Sequence, residues 1–339
     1  MDVPFWVWAI TIAGIIAMLV FDFVGHVRTP HAPSIREAAT WSAVYVGIAV
    51  VFGLLVVAFA GGTAGGEYFA GYLTEKSLSV DNLFVFVLIM ASFAVPRVAQ
   101  QKVLLFGITF ALVLRTVFIL LGAAAIENFS WVFYLFGAIL VYTAIVQARS
   151  GSHDDEDEEF QENAVLRLVR KVLPTTEEHH GDRMVVTTGG KRYITPLAIA
   201  LIAIGTADII FAVDSIPAIF GLTQDTYLVF AANAFSLLGL RQLFFLIDGL
   251  LDRLVYLAYG LAVILAFIGA KLIIHALHTN ELPFLNGGEH ITAVPEVPMW
   301  LSLVVIVGTL LVTTVTSLRH DREVRSQQPL EAGAPTTAR

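Results

Sequence analysis

Nine apolar stretches divide this chain, and each is long enough to cross a lipid bilayer as an α-helix. Hydropathy places them at about 5–25, 41–60, 67–93, 101–125, 130–147, 195–221, 227–247, 254–275 and 299–317. Only 14% of the residues are charged, whereas a soluble domain carries about 25%. The chain is therefore predicted to be an all-α polytopic membrane protein with about nine transmembrane helices.

Lysine and arginine residues predict the orientation of these spans. When the connections are numbered alternately, the basic residues of the loops all fall on one side of the membrane. They are Arg28, Arg36, Arg97, Lys102, Arg149, those of the central loop, Arg253, Arg319, Arg322 and Arg325. Because basic loops remain in the cytoplasm, the N-terminus is predicted to lie outside the cell and the C-terminus in the cytoplasm. The predicted location of the chain is a bacterial-type inner (plasma) membrane.

The predicted domain organisation has three parts. Residues 1–320 form a single transmembrane domain, interrupted by a cytoplasmic loop at 148–194 that carries an acidic run and an amphipathic stretch at 160–173. Residues 321–339 are predicted to be a disordered cytoplasmic tail, since the composition from Ser326 onward is polar with Pro and Ala. The absence of cysteine excludes disulfides and thiolate metal sites. No basic stripe of the kind that binds nucleic acid occurs.

Two pairs of acidic residues lie deep inside apolar spans and share one spacing. Glu75 and Asp81 in span 3 are six residues apart, and so are Asp208 and Asp214 in span 6. A carboxylate in hydrocarbon costs about 2.5–3.5 kcal/mol on insertion scales, so the repetition indicates a shared task. Because spans 3 and 6 run in opposite directions, spans 3–5 and 6–8 are predicted to form an inverted repeat of three helices.

The six-residue spacing leaves two carboxylates about 120° apart around an α-helix. Either each helix presents a wide polar side to the interior, or it is unwound between its two acids. Pro217 favours an irregular span 6, because a proline frees the backbone carbonyl of Val213. Such a carbonyl is tolerated in a membrane only where it lines a cavity.

Oxygen-bearing side chains around the pairs predict a site for a hard divalent cation such as Mn²⁺, Mg²⁺ or Ca²⁺. The candidate metal ligands are Glu75, Asp81, Asn82, Asp208 and Asp214. The candidate supporting or charge-balancing residues are Ser79, Arg115, Ser215 and Arg241. A structural alternative stays open, in which the acids form a salt-bridged core with the four basic residues inside the spans. These basic residues are Lys76, Arg115, Arg241 and Lys271.

The segments that carry these residues resemble a known family. Residues 74–86 and 206–219, with the stretch from Asn233 to Arg241, are similar to the TerC family of integral membrane proteins. That family has tellurium-resistance and alkali-induced members and lies in the wider LysE-type transporter group. The resemblance runs from about residue 5 to 320. It implies a transporter, it implies manganese export from the characterised relatives, and it adds Asn233 to the supporting residues.

The favoured function is a secondary transporter that exports Mn²⁺ or a related divalent cation. No Walker A motif is present, so direct use of ATP is not expected. Carboxylates crowded at low dielectric favour protonation, and metal binding requires their deprotonation. Outward metal is therefore expected to exchange for inward protons, through alternating access at the bilayer midplane. Neither enzymatic activity nor a permanently bound cofactor is expected.

Two other functions remain open at this point. The first is an accessory membrane subunit of a metal or tellurium stress-resistance complex, in which the carboxylates support assembly and the chain itself transports nothing. The second is an intramembrane aspartyl protease, since two aspartates on separate spans can share a proton. The protease is disfavoured, because the segment that ends at Asp208 lacks the Gly-x-Gly-Asp signature of presenilin-like enzymes.

Overall fold

A computed structural model describes most of the chain. The described residues are 3–27, 33–150, 166–167, 171, 174–176, 181, 183–188, 190–247, 256–283, 285–291 and 295–327. They are almost entirely helical, and the only sheet among them is one short hairpin. The prediction of an all-α polytopic membrane protein is confirmed.

Ten α-helices follow one another along the described chain. Their bounds are α1 Phe5–Asp22, α2 Ile35–Ala60, α3 Gly62–Ser92, α4 Arg97–Asn128, α5 Val132–Ser150, α6 Pro196–Phe220, α7 Thr226–Leu237, α8 Leu240–Ile247, α9 Leu257–His278 and α10 Met299–Gln327. A π-helical turn at Phe23–Val27 extends α1, and a 3₁₀ turn at Asn286–Gly288 precedes α10.

Every predicted span corresponds to helix in the structure. Eight helical stretches of the described chain are long and apolar enough to cross a membrane, and α7 with α8 counts as one of them. The ninth is α3, which has 31 residues but is less apolar. It carries Glu67, Glu75, Lys76 and Asp81. The first acidic pair thus lies on a long helix that is less apolar than the eight candidate membrane spans.

The predicted irregularity in span 6 is wrong. Helix α6 runs without a break through Asp208, Asp214 and Pro217. The proline lies in the last turn, where buried neighbours hold the helix despite the missing hydrogen bond. Ile219 packs beside Gly71 of α3, and its neighbour Phe220 packs beside α4. Both acidic pairs therefore lie on continuous helices, each with a wide polar side.

The break in the bundle occurs in span 7 instead. Helix α7 ends at Leu237 and α8 begins at Leu240, with Leu238 extended and Gly239 at φ +80°. A Cβ atom on Gly239 would lie 2.8 Å from the Cβ atom of Tyr45 on α2. Only glycine combines this left-handed backbone with so close an approach, and the chain therefore changes direction here.

Replacing Gly239 with alanine is expected to lower the melting temperature of the detergent-solubilised protein. The left-handed conformation costs a residue with a Cβ atom roughly 1–2 kcal/mol, and the contact with Tyr45 adds to that cost. Gly47→Ala is the matched control, because Gly47 lies inside α2 with no neighbour within 4 Å of an added Cβ. This control is expected to leave the melting temperature unchanged or to raise it. Equal melting temperatures for both variants would contradict the proposed role of Gly239.

The helix packing agrees with the predicted inverted repeat. In the predicted repeat, span 3 (α3) corresponds to span 6 (α6), and span 4 (α4) corresponds to span 7, which contains α7. The contact between α3 and α7 should therefore have a counterpart between α6 and α4. Both pairs are extensively packed in the structure. The third members of the two units, α5 and α9, pack most extensively of all. Gly137 and Gly269 face each other there and let the two backbones approach closely. The inverted relation itself stays a prediction.

The connections and termini add two findings. The loop predicted at 148–194 contains an antiparallel hairpin of β1 Val185–Thr188 and β2 Lys191–Ile194, which pairs Val185 with Ile194. Helix α10 continues past residue 320 to Gln327, where a disordered tail was predicted. The rest of that tail, the acidic run and most of the amphipathic stretch lie outside the described residues.

Candidate functional site

Arg115 joins the two acidic pairs at the middle of the bundle. Its guanidinium donates through Nη2 to Oδ1 of Asp208 at 2.9 Å and through Nε to Oδ2 at 3.2 Å. It also donates through Nη1 to Oε1 of Glu75 and to Oγ of Ser215, the latter at 3.1 Å. One cation thus holds the first acid of each pair, in the fork geometry that arginine provides.

The three ionised groups of this cluster are withdrawn from solvent. Arg115 and Glu75 are 0% exposed, and Asp208 is 2% exposed. Desolvation makes such a cluster expensive, and mutual attraction offsets that cost only while all partners are present. The predicted salt-bridged core is therefore realised in part, by the first acid of each pair.

The second acid of each pair has a different environment. Asp81 accepts a hydrogen bond through Oδ2 from Nε2 of Gln147 on α5, at 3.0 Å. Asp214 lies within electrostatic range of both Arg115 and Asp81. Both carboxylates are half-buried, whereas Glu75 and Asp208 are fully buried. The six-residue spacing thus separates the acids into an inner set bound to Arg115 and a more accessible set.

Several buried oxygen atoms beside the cluster have no hydrogen-bond partner among the described residues. They are Oγ1 of Thr74, Oε2 of Glu75, Oγ of Ser79 and Oδ1 of Asn233. Buried polar atoms are normally satisfied, and each exception in a native structure requires an explanation. A bound cation or its water shell would satisfy such oxygen atoms.

Contacts between α3 and α7 place Asn233 alongside Glu75. One turn before Glu75, Gly71 packs beside Ala232. One residue after it, Lys76 donates through Nζ to the backbone carbonyl of Ser236 at 3.0 Å. Asn233 lies between these two contacts, and it is 1% exposed. The position that the family resemblance added to the site is therefore adjacent to the first acidic pair.

Arg241 does not lie beside the acidic pairs, for which it was predicted as a supporting or charge-balancing residue. It donates through Nη2 to Oδ1 of Asp22 at 3.1 Å and through Nη1 to Oε1 of Gln101 at 3.2 Å. Gln242 also donates to Asp22, at 3.3 Å. The break at Gly239 explains the difference, because it redirects α8 towards the ends of α1 and α4. Arg241 therefore belongs to a second buried polar cluster.

A single cage of the five predicted metal ligands is also not formed. Within the described part of the chain, no three His, Asp or Glu side chains converge as a metal-binding group. The reason is Arg115, which occupies the space between Glu75 and Asp208. The remaining oxygen donors around the second acids, Asp81 and Asp214, are of the chemical type that holds a hard divalent cation. Asn82 is buried beside Asp81.

Sequence reasoning missed Gln147. It is a lone amide in the apolar stretch of span 5, between Val146 and Ala148. A polar residue inside a span is itself a signal of a buried partner, but its partner Asp81 could not be identified without the packing of α5. Lys76 was noticed as an intramembrane base, although its contact is a backbone carbonyl rather than an acid.

The chain is similar to known membrane proteins along most of its length. The model of the family described as "Integral membrane protein TerC family" matches residues 60–325. The "Uncharacterized membrane protein Rv2723" of Mycobacterium tuberculosis is 56% identical over 312 residues, which cover 92% of this chain and 78% of the relative. The "Uncharacterized membrane protein STKORF319" of Myxococcus xanthus is 38% identical, with 97% and 96% covered.

A further relative carries a functional name. The "Putative membrane-bound redox modulator Alx" of Escherichia coli is 36% identical over 308 residues, which cover 87% of this chain and 90% of the relative. No solved structure matches the chain. The family match covers more than half of the residues and includes both acidic pairs, Arg115, Asn233 and Arg241. The chain belongs to the TerC family of integral membrane proteins.

Proposed function

We propose that this protein is a secondary transporter that exports a divalent metal cation, Mn²⁺, in exchange for protons. The observation that carries the proposal is the division of the four intramembrane acids into two sets. Arg115 neutralises part of the charge of Glu75 and Asp208. Asp81 and Asp214 remain half-buried, and each is within range of the other's charge. Two nearby carboxylates that form no ion pair with any described basic residue attract a cation.

The choice of Mn²⁺ among the hard cations does not come from the chemistry of the site. Carboxylate, amide and hydroxyl oxygen atoms distinguish Mn²⁺, Mg²⁺ and Ca²⁺ poorly. The choice of Mn²⁺ rests on the family resemblance. The local geometry supports a hard cation as a class.

The charge of the site predicts the exchange ratio. The buried region holds four acidic and two basic side chains, which leaves two negative charges when all six are ionised. These are Glu75, Asp81, Asp208, Asp214, Lys76 and Arg115. One divalent cation neutralises the site, and so do two protons on Asp81 and Asp214. Because net charge in hydrocarbon is costly, we propose that one Mn²⁺ leaves for every two protons that enter.

The name of the Escherichia coli relative raises a redox role. This chain has no cysteine, so it has no thiol pair for disulfide exchange. We therefore propose cation transport, without a redox reaction of the chain's own residues.

Purified protein in liposomes tests this function. With this chain as the only protein in the liposomes, Mn²⁺ is expected to cross the membrane. A pH gradient across the membrane is expected to drive the Mn²⁺ flux. A potential imposed with potassium and valinomycin is expected to leave the rate unchanged, because exchange of one divalent cation for two protons moves no net charge. If Mn²⁺ does not cross at all, the alternative of an accessory subunit without transport activity is favoured. If voltage drives transport, the ratio of two protons is wrong.

A further inference from the structure

The break in span 7 leaves the last turn of α7 buried inside the protein. Helix α7 ends at Leu237, and the backbone of Leu238 is extended. Ser236, Leu237 and Leu238 are at most 3% exposed. The last four carbonyl groups of a helix have no partner within it and carry a partial negative charge. In a membrane such groups must be satisfied inside the protein, so the end of α7 requires hydrogen-bond donors.

Three donors at this helix end are identified by their contacts. The backbone N–H of Leu238 donates to the carbonyl of Ala234 at 3.0 Å. Oγ of Ser236 donates to the carbonyl of Asn233 at 2.8 Å. The carbonyl of Ser236 accepts a hydrogen bond from Nζ of Lys76 on α3, at 3.0 Å. Lys76 thus supplies a charged donor from a different helix, and hydrogen bonds from charged donors are the stronger ones.

Lys76 differs from the two intramembrane arginines in its contact. Arg115 and Arg241 each form an ion pair with an acidic residue. Lys76 forms no ion pair with an acidic residue of the described chain, and its side chain is half-buried. A lysine near the C-terminus of a helix can donate to the last carbonyl groups and interacts favourably with the helix dipole. The ammonium group therefore neutralises a helix end instead of a carboxylate.

The two halves of the predicted repeat differ at the position of this lysine. Glu75 is followed by Lys76 on α3, whereas Asp208 is followed by Ile209 on α6. Helix α3 packs against α7, whose span is interrupted, and α6 packs against α4, which is continuous from Arg97 to Asn128. The lysine thus occurs in the half whose facing helix is interrupted, and an apolar residue occupies its place in the other half. This difference indicates that the ammonium group compensates for the break.

We propose that the carbonyl end of α7 is a site for a monovalent cation, and that the tethered ammonium group of Lys76 occupies it. The C-terminal ends of interrupted helices coordinate Na⁺ in other membrane transporters. Here the ammonium holds the end of α7 against α3, and it thereby fixes Asn233, one turn before Ser236, alongside Glu75. Lys76 is thus a positioning residue for transport. That consequence rests on the proposed function, whereas the monovalent-cation site itself does not.

Removal of the ammonium group tests the site by making it available to a free cation. Lys76→Ala is expected to lower the melting temperature of the purified full chain by roughly 5 °C when N-methylglucamine is the only cation in the buffer. Methylammonium has the donors of the missing group and is expected to restore the melting temperature in a saturable manner. Tetramethylammonium carries the same charge without an N–H donor and is expected to have no effect. The wild type is expected to respond to neither ion.

Three variants serve as controls for this measurement. Lys76→Arg keeps a charged donor and is expected to have nearly the wild-type melting temperature without methylammonium. Lys76→Met fills the space without a charge, and it is expected to be destabilised with no recovery in methylammonium. Lys271→Ala removes a lysine of α9 and is expected to gain no response to methylammonium.

Two results would overturn the proposed monovalent-cation site. They are a melting temperature of Lys76→Ala that does not respond to methylammonium, and a wild-type melting temperature for Lys76→Met. If Lys76→Ala yields no folded protein, expression and purification in methylammonium decide the question. Recovery of folded protein supports the site, and continued loss contradicts it.

Transport provides a separate measurement of the positioning role. In liposomes, Lys76→Ala is expected to carry Mn²⁺ about tenfold more slowly than the wild type and to recover in methylammonium. Normal Mn²⁺ transport by Lys76→Ala would contradict the positioning role of Lys76. If the wild type transports nothing, the proposed function fails, but the melting temperatures still decide whether the end of α7 holds a monovalent cation.

Discussion

Arg115→Met is expected to prevent stable folding of the transmembrane bundle. The substitution leaves Glu75 and Asp208 buried without their shared cation. Breaking a buried ion pair by removing one partner costs about 3–5 kcal/mol, and here two acids lose the same partner. The expected result is a sharp fall in the yield of monodisperse protein and in its melting temperature after extraction in mild detergent.

A charge-matched variant distinguishes the effect of leaving two buried acids unpaired from the effect of replacing the Arg115 side chain by a smaller one. The triple variant Glu75→Gln, Arg115→Met, Asp208→Asn removes all three charges and keeps side chains of similar size. Its melting temperature is expected to return close to that of the wild type, because replacement of a complete buried ion cluster by neutral groups is often tolerated. A wild-type melting temperature for Arg115→Met alone would contradict the role of Arg115 as the partner of both acids.

Asp81→Asn and Asp214→Asn are expected to abolish Mn²⁺ transport while leaving the fold intact. Each substitution removes one charge from the more accessible set of acids, and neither residue forms an ion pair with Arg115 in the structure. Loss of groups that only orient a metal ligand lowers metal affinity about 10–100-fold. Loss of a ligand itself is therefore expected to lower transport by on the order of 100-fold or more. The measurement is the initial rate of Mn²⁺ flux in liposomes.

The matched control is Glu127→Gln, which neutralises an exposed acid near the end of α4. Its transport rate and melting temperature are both expected to equal those of the wild type. Normal transport by Asp81→Asn and by Asp214→Asn would show that the acidic pairs serve packing alone. A fall in melting temperature as large as that of Arg115→Met would indicate the same.

The transmembrane architecture could be predicted because each span is a local property of the sequence. About 20 apolar residues can satisfy their backbone polar groups in hydrocarbon only as a helix, and the predicted spans agree with the helices of the structure. The hairpin at 185–194 was not predicted, since strands of four residues give too weak a pattern. The ends of helices that leave the membrane, such as α10 at Gln327, are also not determined by hydropathy.

The site could be predicted only in part, because its pairings depend on packing. The acids could be identified from the sequence, because a carboxylate in an apolar span carries a high free-energy cost. Arg115, Ser215 and Asn233 do lie beside them. The pairing of acids with bases could not be predicted from the sequence, because Arg115 and Arg241 occupy similar positions in the sequence pattern. The glycine at 239 breaks one of these two spans and directs Arg241 to Asp22. Pro217 was the more conspicuous helix breaker in the sequence, yet its helix is continuous.

The most direct test of the central claim is a titration of purified protein with Mn²⁺, followed by the electron paramagnetic resonance signal of the free ion. The wild type is expected to bind one Mn²⁺ per chain at the site of Asp81 and Asp214, and Glu127→Gln is expected to do the same. Asp81→Asn and Asp214→Asn are each expected to lose that binding while they keep the wild-type melting temperature. Mn²⁺ binding that is the same in the wild type and in both variants would contradict the assignment of Asp81 and Asp214 as the cation site.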